Sequence, residues 1–397
     1  MLMKADGGGQ AQLKRANRMA LIRQLRVQPG RSRVELAQAL GLTKSTVSTL
    51  VRELVDEGWL MEREVLVTGD VGRRPTPLFV DPGRLLLLGI AVDHGGVRVA
   101  LASLSGDVLA ARSTAYDPDL GARGCIDSLA RALLDITAGL GASQRIIGIG
   151  AGLPGGVDES RGHLVYAHNL GWHDVPFSGL LAHALEGTPL ARVPVFVQND
   201  ADVAALGETE FNPAPGGDPL LFAYIGEGVG AGVIVGGRLL IGARGFAGEV
   251  GHMVLQLDGP RCSCGRQGCV EALIGSRALR RDSGVDEAPA SASLDPVRAL
   301  LAAGDSRTTA AVTMAGRYVG VLLQNLAAAY DPACIVLGGP VVDLGEALLA
   351  PARDALQGYA RAAQVPEPVL RVSRFGPDAI AIGAAALAGY RLTQPAL

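Results

Sequence analysis

The chain has 397 residues, with 36 Lys+Arg against 39 Asp+Glu, 48% hydrophobic and 19% charged residues. That composition excludes a disordered polymer and leaves room for two or three domains with a sizeable core. Its longest apolar run, Leu85 to Val92, is far short of the roughly 20 residues needed to span a bilayer. Met1 to Gln10 holds no apolar run of the signal-peptide kind, so a cytoplasmic chain without membrane contact is expected.

Charge is unevenly spread. Residues 1–84 hold 14 Lys+Arg against 9 Asp+Glu, and the remainder holds 22 against 30. A basic start on an acidic body suits a DNA-binding module fused to a soluble domain.

In chain order, residues 1–14 read as a flexible tail and 15–80 as a winged helix-turn-helix module. Met19, Ile22 and Leu25 recur at helical spacing between Arg15 and Arg26. Pro29-Gly30 breaks that helix, a second is expected over Arg33–Leu40, and a third runs from Thr43, its expected N-cap, to about Glu57, where Gly58 stops it. In the third helix Val47, Leu50, Val51, Leu54 and Val55 form one apolar stripe. Ser45, Ser48, Thr49 and Arg52 fall on the other side, with Lys44, Ser45 and Thr46 leading. Small hydroxyls and cations at the leading turn are what a helix entering the major groove of double-stranded DNA needs. Two short strands are expected around Thr68-Gly69-Asp70 as a wing, followed by Arg73 and Arg74, which suit phosphate or minor-groove contact.

Beyond Arg84 the texture changes. Leu86–Val92, Ile146–Ala151, Val195–Val197 and Leu220–Ile225 are short apolar runs of the buried-strand type. Helical stretches at Gly124–Leu140 and Asp202–Glu210 lie between them, which is an α/β alternation, and the 54 glycines fit its many tight turns. Residues 281–296 are small and polar and read as a mobile loop.

Three of the five cysteines lie within eight residues, where His252, Cys262, Cys264 and Cys269 form H-x9-C-x-C-x4-C. In a reducing compartment such a cluster points to metal, and four N/S ligands suit a tetrahedral, structural Zn2+ with no open position. Cys125 and Cys334 sit in apolar segments and read as small buried residues.

Gly-Glu-Val-Gly-His (248–252) followed by Cys-Ser-Cys-Gly-Arg-Gln-Gly-Cys-Val-Glu (262–271) closely resembles the ROK family of repressors, open reading frames and kinases. So do Gly-Ala-Gly-Leu-Pro-Gly (150–155), Asn-Leu-Gly-Trp (169–172), Asn199-Asp200 and Ile-Val-Leu-Gly-Gly (335–339), in the family's order. The helix-turn-helix is what the repressor branch has and the kinase branch lacks. The resemblance implies an actin/hexokinase-like (ribonuclease H-like) domain of two α/β lobes, 85–198 with 377–397 and 199–376, around a sugar cleft. It implies that Asp200 descends from a catalytic base and that Asn199, Glu249, His252 and Glu271 contact the sugar. His252 would then join metal to pocket through its two ring nitrogens.

Two departures from the kinase pattern stand out. The first phosphate loop, Asp-x-Gly-Gly-Thr in the kinases, reads Asp93-His94-Gly95-Gly96-Val97; the second, Gly-Thr-Gly-x-Gly, reads Gly226-Glu227-Gly228-Val229-Gly230. Each loses a hydroxyl donor, and Glu227 adds negative charge beside a polyanion, which is costly in a cleft of reduced dielectric. The expectation is a DNA-binding regulator, a repressor in the family's commoner mode, that senses a sugar as a homodimer or homotetramer and has no kinase activity. The alternatives are an active sugar kinase carrying a DNA-binding domain, or a regulator that answers a protein partner or a phosphosugar.

Overall fold

A computed structural model describes residues 8–63, 76–212, 216–285 and 293–394. Helix α1 spans Gly8–Val27, so it begins at Gly8 and not at Arg15. Residues 8–14, expected as tail, are its first two turns. They carry no apolar stripe to betray them; Lys14 instead ion-pairs with Glu53 at 2.7 Å. Helix α2 (Arg33–Leu40) starts in a capping box: the Ser32 hydroxyl accepts from the Glu35 amide, and the Glu35 carboxylate accepts from the Ser32 amide at 2.8 Å. Helix α3 (Lys44–Asp56) is capped by Thr43 as expected and buries Val47, Leu50, Val51 and Leu54; Val55 is only partly covered. Strands β1 (Leu60–Glu62) and β2 (Leu78–Val80) pair antiparallel with Leu60 opposite Val80. The expected wing tip, with Arg73 and Arg74, lies outside the described residues.

The first lobe holds β3 (Leu85–Asp93), β4 (Gly96–Ser103), β5 (Val108–Ala115), α4 (Gly121–Thr137), β6 (Arg145–Leu153), a small sheet of β7 (Gly156–Asp158), β8 (His163–Ala167) and β9 (Trp172–Val175), then α5 (Phe177–Ala184) and β10 (Val195–Asn199). The second holds α6 (Asp200–Glu210), β11 (Leu220–Ile225), β12 (Val229–Val235), β13 (Arg238–Leu239), α7 (Val270–Ile274), α8 (Ser276–Asp282), α9 (Asp295–Ala302), α10 (Ser306–Tyr330), β14 (Cys334–Gly338), α11 (Glu346–Ala363) and β15 (Val369–Val372). Helix α12 (Ala379–Thr393) follows. The loop expected over 281–296 is therefore shorter: α8 runs into it, α9 starts inside it, and 286–292 lie outside the described residues.

Both lobes repeat one topology. The sheets run β10-β6-β3-β4-β5 and β13-β12-β11-β14-β15, each an antiparallel meander of three strands extended by two parallel strands. The two phosphate-type loops are therefore equivalent hairpins, Asp93–Gly96 joining β3 to β4 and Ile225–Val229 joining β11 to β12.

Between the sheets α6 and α12 cross with almost no side chain in the way. A Cβ on Gly89 or Gly150 would fall 1.8 Å from the carbonyl oxygens of Ala381 and Ala384. Only glycine at these strand positions lets the alanine-rich α12 lie on the sheet. The core of the N-terminal module runs into this packing: Leu25, Leu54 and Leu78 share a buried cluster with Leu87, Phe211 and Ala385.

Candidate functional site

The first strand-to-helix junction of the second lobe builds the centre of the cleft. Asn199 closes β10 and caps α6, its side-chain oxygen accepting from Ala201 and Asp202 amides at 2.9 and 3.3 Å while its Nδ2 donates to the Gly155 carbonyl at 3.0 Å. Asn199 thus positions the next residue. Asp200 lies at the helix start, where its Oδ1 accepts from the Ala201 amide at 2.7 Å. Burial pushes its carboxyl up to about 7, reinforced by the charges of Glu249 and Asp93.

Asp200 borders two connected compartments. The inner one is narrow, about 50 Å³, and gathers Asn199, Asp200, Glu249, His252 and Glu271. All five residues that the resemblance assigns to sugar therefore come together from three separate segments. Two further groups were not singled out from sequence, Tyr166 and His168, whose rings stack at 4.8 Å on the end of β8; Asn169 of the Asn-Leu-Gly-Trp motif lies just beyond. Burial, then the charge of Glu271, raises the Glu249 carboxyl, partly offset by the Tyr166 hydroxyl. Glu271 accepts from the Ser263 hydroxyl at 2.7 Å. Carboxylates, an amide and an imidazole converging on one small space can accept from several hydroxyls at fixed geometry.

Behind this compartment His252, Cys262, Cys264 and Cys269 converge so that one ligand atom from each lies within 4.8 Å of all the others. Cys264 Sγ and Cys269 Sγ are 3.7 Å apart, and His252 Nδ1 is 3.6 Å from Cys262 Sγ. A tetrahedral ion with metal–sulfur bonds of about 2.3 Å needs sulfurs roughly 3.8 Å apart, so this donor set fits zinc. The other ring nitrogen, Nε2, lies 3.8 Å from Glu249 in the inner compartment. One imidazole thus faces both the metal set and the cleft.

The outer compartment, about 310 Å³, lies between the two equivalent hairpins and includes Asp93, Val97 and Glu227. Val97 presents only methyl groups there. Glu227 departs from expectation, because Arg277 at the start of α8 pairs with it at 2.7 Å. The expected repulsion of a polyanion is correspondingly smaller. Arg277 was not recognisable beforehand, being 50 residues from its partner.

On the N-terminal module, Lys44, Ser45, Thr49 and Arg52 are exposed on α3, with Thr46 and Ser48 partly covered. The Thr43 hydroxyl sits 2.9 Å from that of Ser45 and 2.8 Å from that of Thr46, knitting the leading turn. Ser45, Thr46 and Thr49 share an open groove with Gln10, Leu13 and Lys14 of α1. At the far end of α1, Arg26 ion-pairs with Glu210 at 2.6 Å, donates to its carbonyl at 2.9 Å and lies over the Phe211 ring. Helix α6, about 16 Å long by its residue count, therefore has Asp200 at one end and Arg26 of the helix-turn-helix at the other.

The sequence matches the ROK family over residues 89–391 and a winged helix-turn-helix DNA-binding family over residues 14–61. The chain belongs to the ROK family. It is 28% identical to a xylose repressor of Caldicellulosiruptor bescii over 96% of this chain and 97% of that protein. A glucokinase of Halalkalibacterium halodurans is 31% identical over 74% of this chain and 92% of its own length. Among solved structures, a ROK family transcriptional regulator described as a homolog of the E. coli MLC protein superposes with a TM-score of 0.76, at 24% identity, over 96% of this chain and 97% of that one. That likeness establishes the two-lobed fold with its N-terminal helix-turn-helix. The His/Cys cluster falls in the second lobe of the ROK domain, and no described helix is long and apolar enough to cross a membrane.

Proposed function

We propose that this ROK protein is a DNA-binding repressor of carbohydrate-related genes, whose ROK domain binds a sugar as effector and does not phosphorylate it. The observation that carries the reading is the union of two sites in one packed body: α3 presents a hydroxyl- and cation-bearing face, and α6 runs from the Asp200 compartment to the clasp on α1. Likeness to a xylose repressor along nearly the whole chain supports it. Zn2+ held by His252, Cys262, Cys264 and Cys269 serves structure, since four protein ligands leave no position for substrate. It keeps His252 and Glu271 in place at the compartment wall.

Lys44, Ser45, Thr46, Ser48, Thr49 and Arg52 read the major groove in this proposal, and Arg73 and Arg74 add phosphate or minor-groove contacts. Two copies of α3 are needed about 34 Å apart, or a multiple of it, to meet successive half-sites, so a homodimer or homotetramer binds the operator. Sugar closes the lobes, α6 moves with them, and the clasp shifts α1 and its module.

The test is selection of duplexes from a random pool, then anisotropy titrations of the selected duplex against salt, with and without a monosaccharide panel. Arg52→Ala is expected to weaken binding across sequences and to reduce the salt slope by about one. A monomer in light scattering under binding conditions contradicts the half-site geometry. A working kinase is the second reading, favoured by retention of Asp93 and by the Asp200 carboxyl near 7, which suits a general base. Sugar-dependent release of ADP from Mg-ATP decides for it.

A further inference from the structure

The outer compartment is a space that the proposed sensing role leaves unused. It is about 310 Å³, several times the inner compartment and within the range of small-molecule sites. The two are continuous: Pro154, Asn169, Asp200, Tyr224 and Gly228 line both. Anything bound in the inner compartment that carries a substituent past Asp200 therefore enters the outer one.

The walls of that space specify the chemistry. Among the described lining residues Arg98 is the single cation, and it is taken up by Asp378 through a charge-paired hydrogen bond. Glu227 and Asp343 both come from the second lobe, each paired with an arginine, Arg277 at 2.7 Å and Arg298 at 3.7 Å. A polyphosphate would find no uncommitted cation, and its charge would meet Asp93 and Asp200 as well. A compact cation would compete with Arg277 and Arg298 for Glu227 and Asp343. What remains is a set of acceptors, Asp93, Glu227, Asp343 and the Tyr224 hydroxyl, lining one space with aliphatic surface from Val97 and Ile380. An uncharged polyol ring has that pattern, with hydroxyl donors around its edge and C–H faces above and below. Val97, where the kinases of the family have threonine, supplies the apolar patch for such a face.

We propose that the effector is a disaccharide or other uncharged glycoside, with one ring in the inner compartment among Glu249, His252 and Glu271 and the second ring in the outer compartment between Val97 and Glu227. This rests on the reading of the inner compartment as a sugar site. The former phosphate side is then a specificity pocket that distinguishes an oligosaccharide from its monosaccharide.

The experiment is calorimetric titration of the zinc-loaded full chain with matched pairs: D-xylose against β-1,4-xylobiose, and D-glucose against cellobiose and gentiobiose, with Mg-AMPPNP as a separate titrant. At least one disaccharide is expected to bind ten times more tightly, or better, than its monosaccharide. Thr114→Trp, on an exposed strand position that lines the outer compartment only, is expected to erase that advantage and leave monosaccharide affinity unchanged. Ser113→Phe is the alternative should that variant not keep the parent unfolding midpoint. A monosaccharide that binds as well as every disaccharide built from it overturns the proposal while leaving the sugar-effector reading intact. Mg-AMPPNP binding more tightly than any disaccharide overturns it too, since the outer compartment is then a nucleotide site. If no sugar of either size binds, the sugar-effector reading fails and this inference falls with it.

Discussion

The inner and outer compartments meet at Asp200, yet they are built on different principles. The inner one is assembled from β8, the β10–α6 junction and the metal-bearing segment, and it keeps every residue that the family resemblance assigns to sugar. The outer one lies between two hairpins that are topological copies of each other, carrying Val97 and Glu227. A site supported by a His/Cys cluster on one side and a helix cap on the other tolerates little change, because each residue there does two tasks. His252 faces metal donors and cleft; Asn199 caps and lines. The outer hairpins are held otherwise, Val97 by the core of the first lobe and Glu227 by Arg277.

The sharpest way to break that contrast is to remove a metal ligand. Cys269→Ser is expected to lower bound zinc, measured by atomic absorption, from about one per chain to near none. It should also weaken inner-compartment ligands by about a hundredfold or more, as His252 and Glu271 lose their anchor. Unchanged sugar affinity in the zinc-free variant would separate the two sites.

Asp200 gives the next largest effect, through pH. Its folded carboxyl stands near 7, against an ordinary value of 3.8. Below about pH 4 both states hold the proton and nothing is lost. As pH rises towards 7 the unfolded chain ionises first, so stability falls, by an upper bound of about 4 kcal/mol once both are ionised. Asp200→Asn removes this slope, so the variant should melt above the parent at about pH 8 and level with it near pH 4. Parallel melting curves across that range would place Asp200 in freer solvent.

Glu249→Gln keeps shape and removes charge. A loss of about 1.5–3 kcal/mol in ligand binding, roughly ten- to a hundredfold, is expected by calorimetry, with little change in melting. An equal effect from Glu227→Gln would erase the distinction between compartments.

Arg26→Ala is the smallest in stability, about 1 kcal/mol, but it is the most informative about coupling. It removes the clasp on Glu210 without touching cleft or α3. Sugar affinity and DNA affinity should each persist while sugar no longer changes DNA affinity in the anisotropy assay. Retained response would mean that the signal bypasses α6.

Much of the N-terminal module was legible because its helices are marked locally. Thr43 caps, Gly58 stops, and the stripe of Val47, Leu50, Val51 and Leu54 faces one core. The first turns of α1 were missed because Gly8-Gly9-Gln10-Ala11-Gln12-Leu13-Lys14 carries no buried apolar stripe and is held by Lys14 to Glu53, a partner 39 residues away. The long helices α10 and α11 were legible but unread: Val312, Val319, Leu322 and Leu326 form a buried stripe on α10, while the close approach of Gly316 and Gly320 to the backbone of α11 is a tertiary feature.

By itself the sequence determined the order of the modules, the His/Cys donor set and the family motifs, since each depends on residue type and short spacing. Tertiary structure decided what those residues do together. It joined Asn199, Glu249 and Glu271 in one compartment. It also set Arg277 against Glu227, and it tied the helix-turn-helix to the end of α6 through Arg26. Those contacts join charges 50 and 184 residues apart in the chain, and only the folding of both lobes brings them within reach of a hydrogen bond.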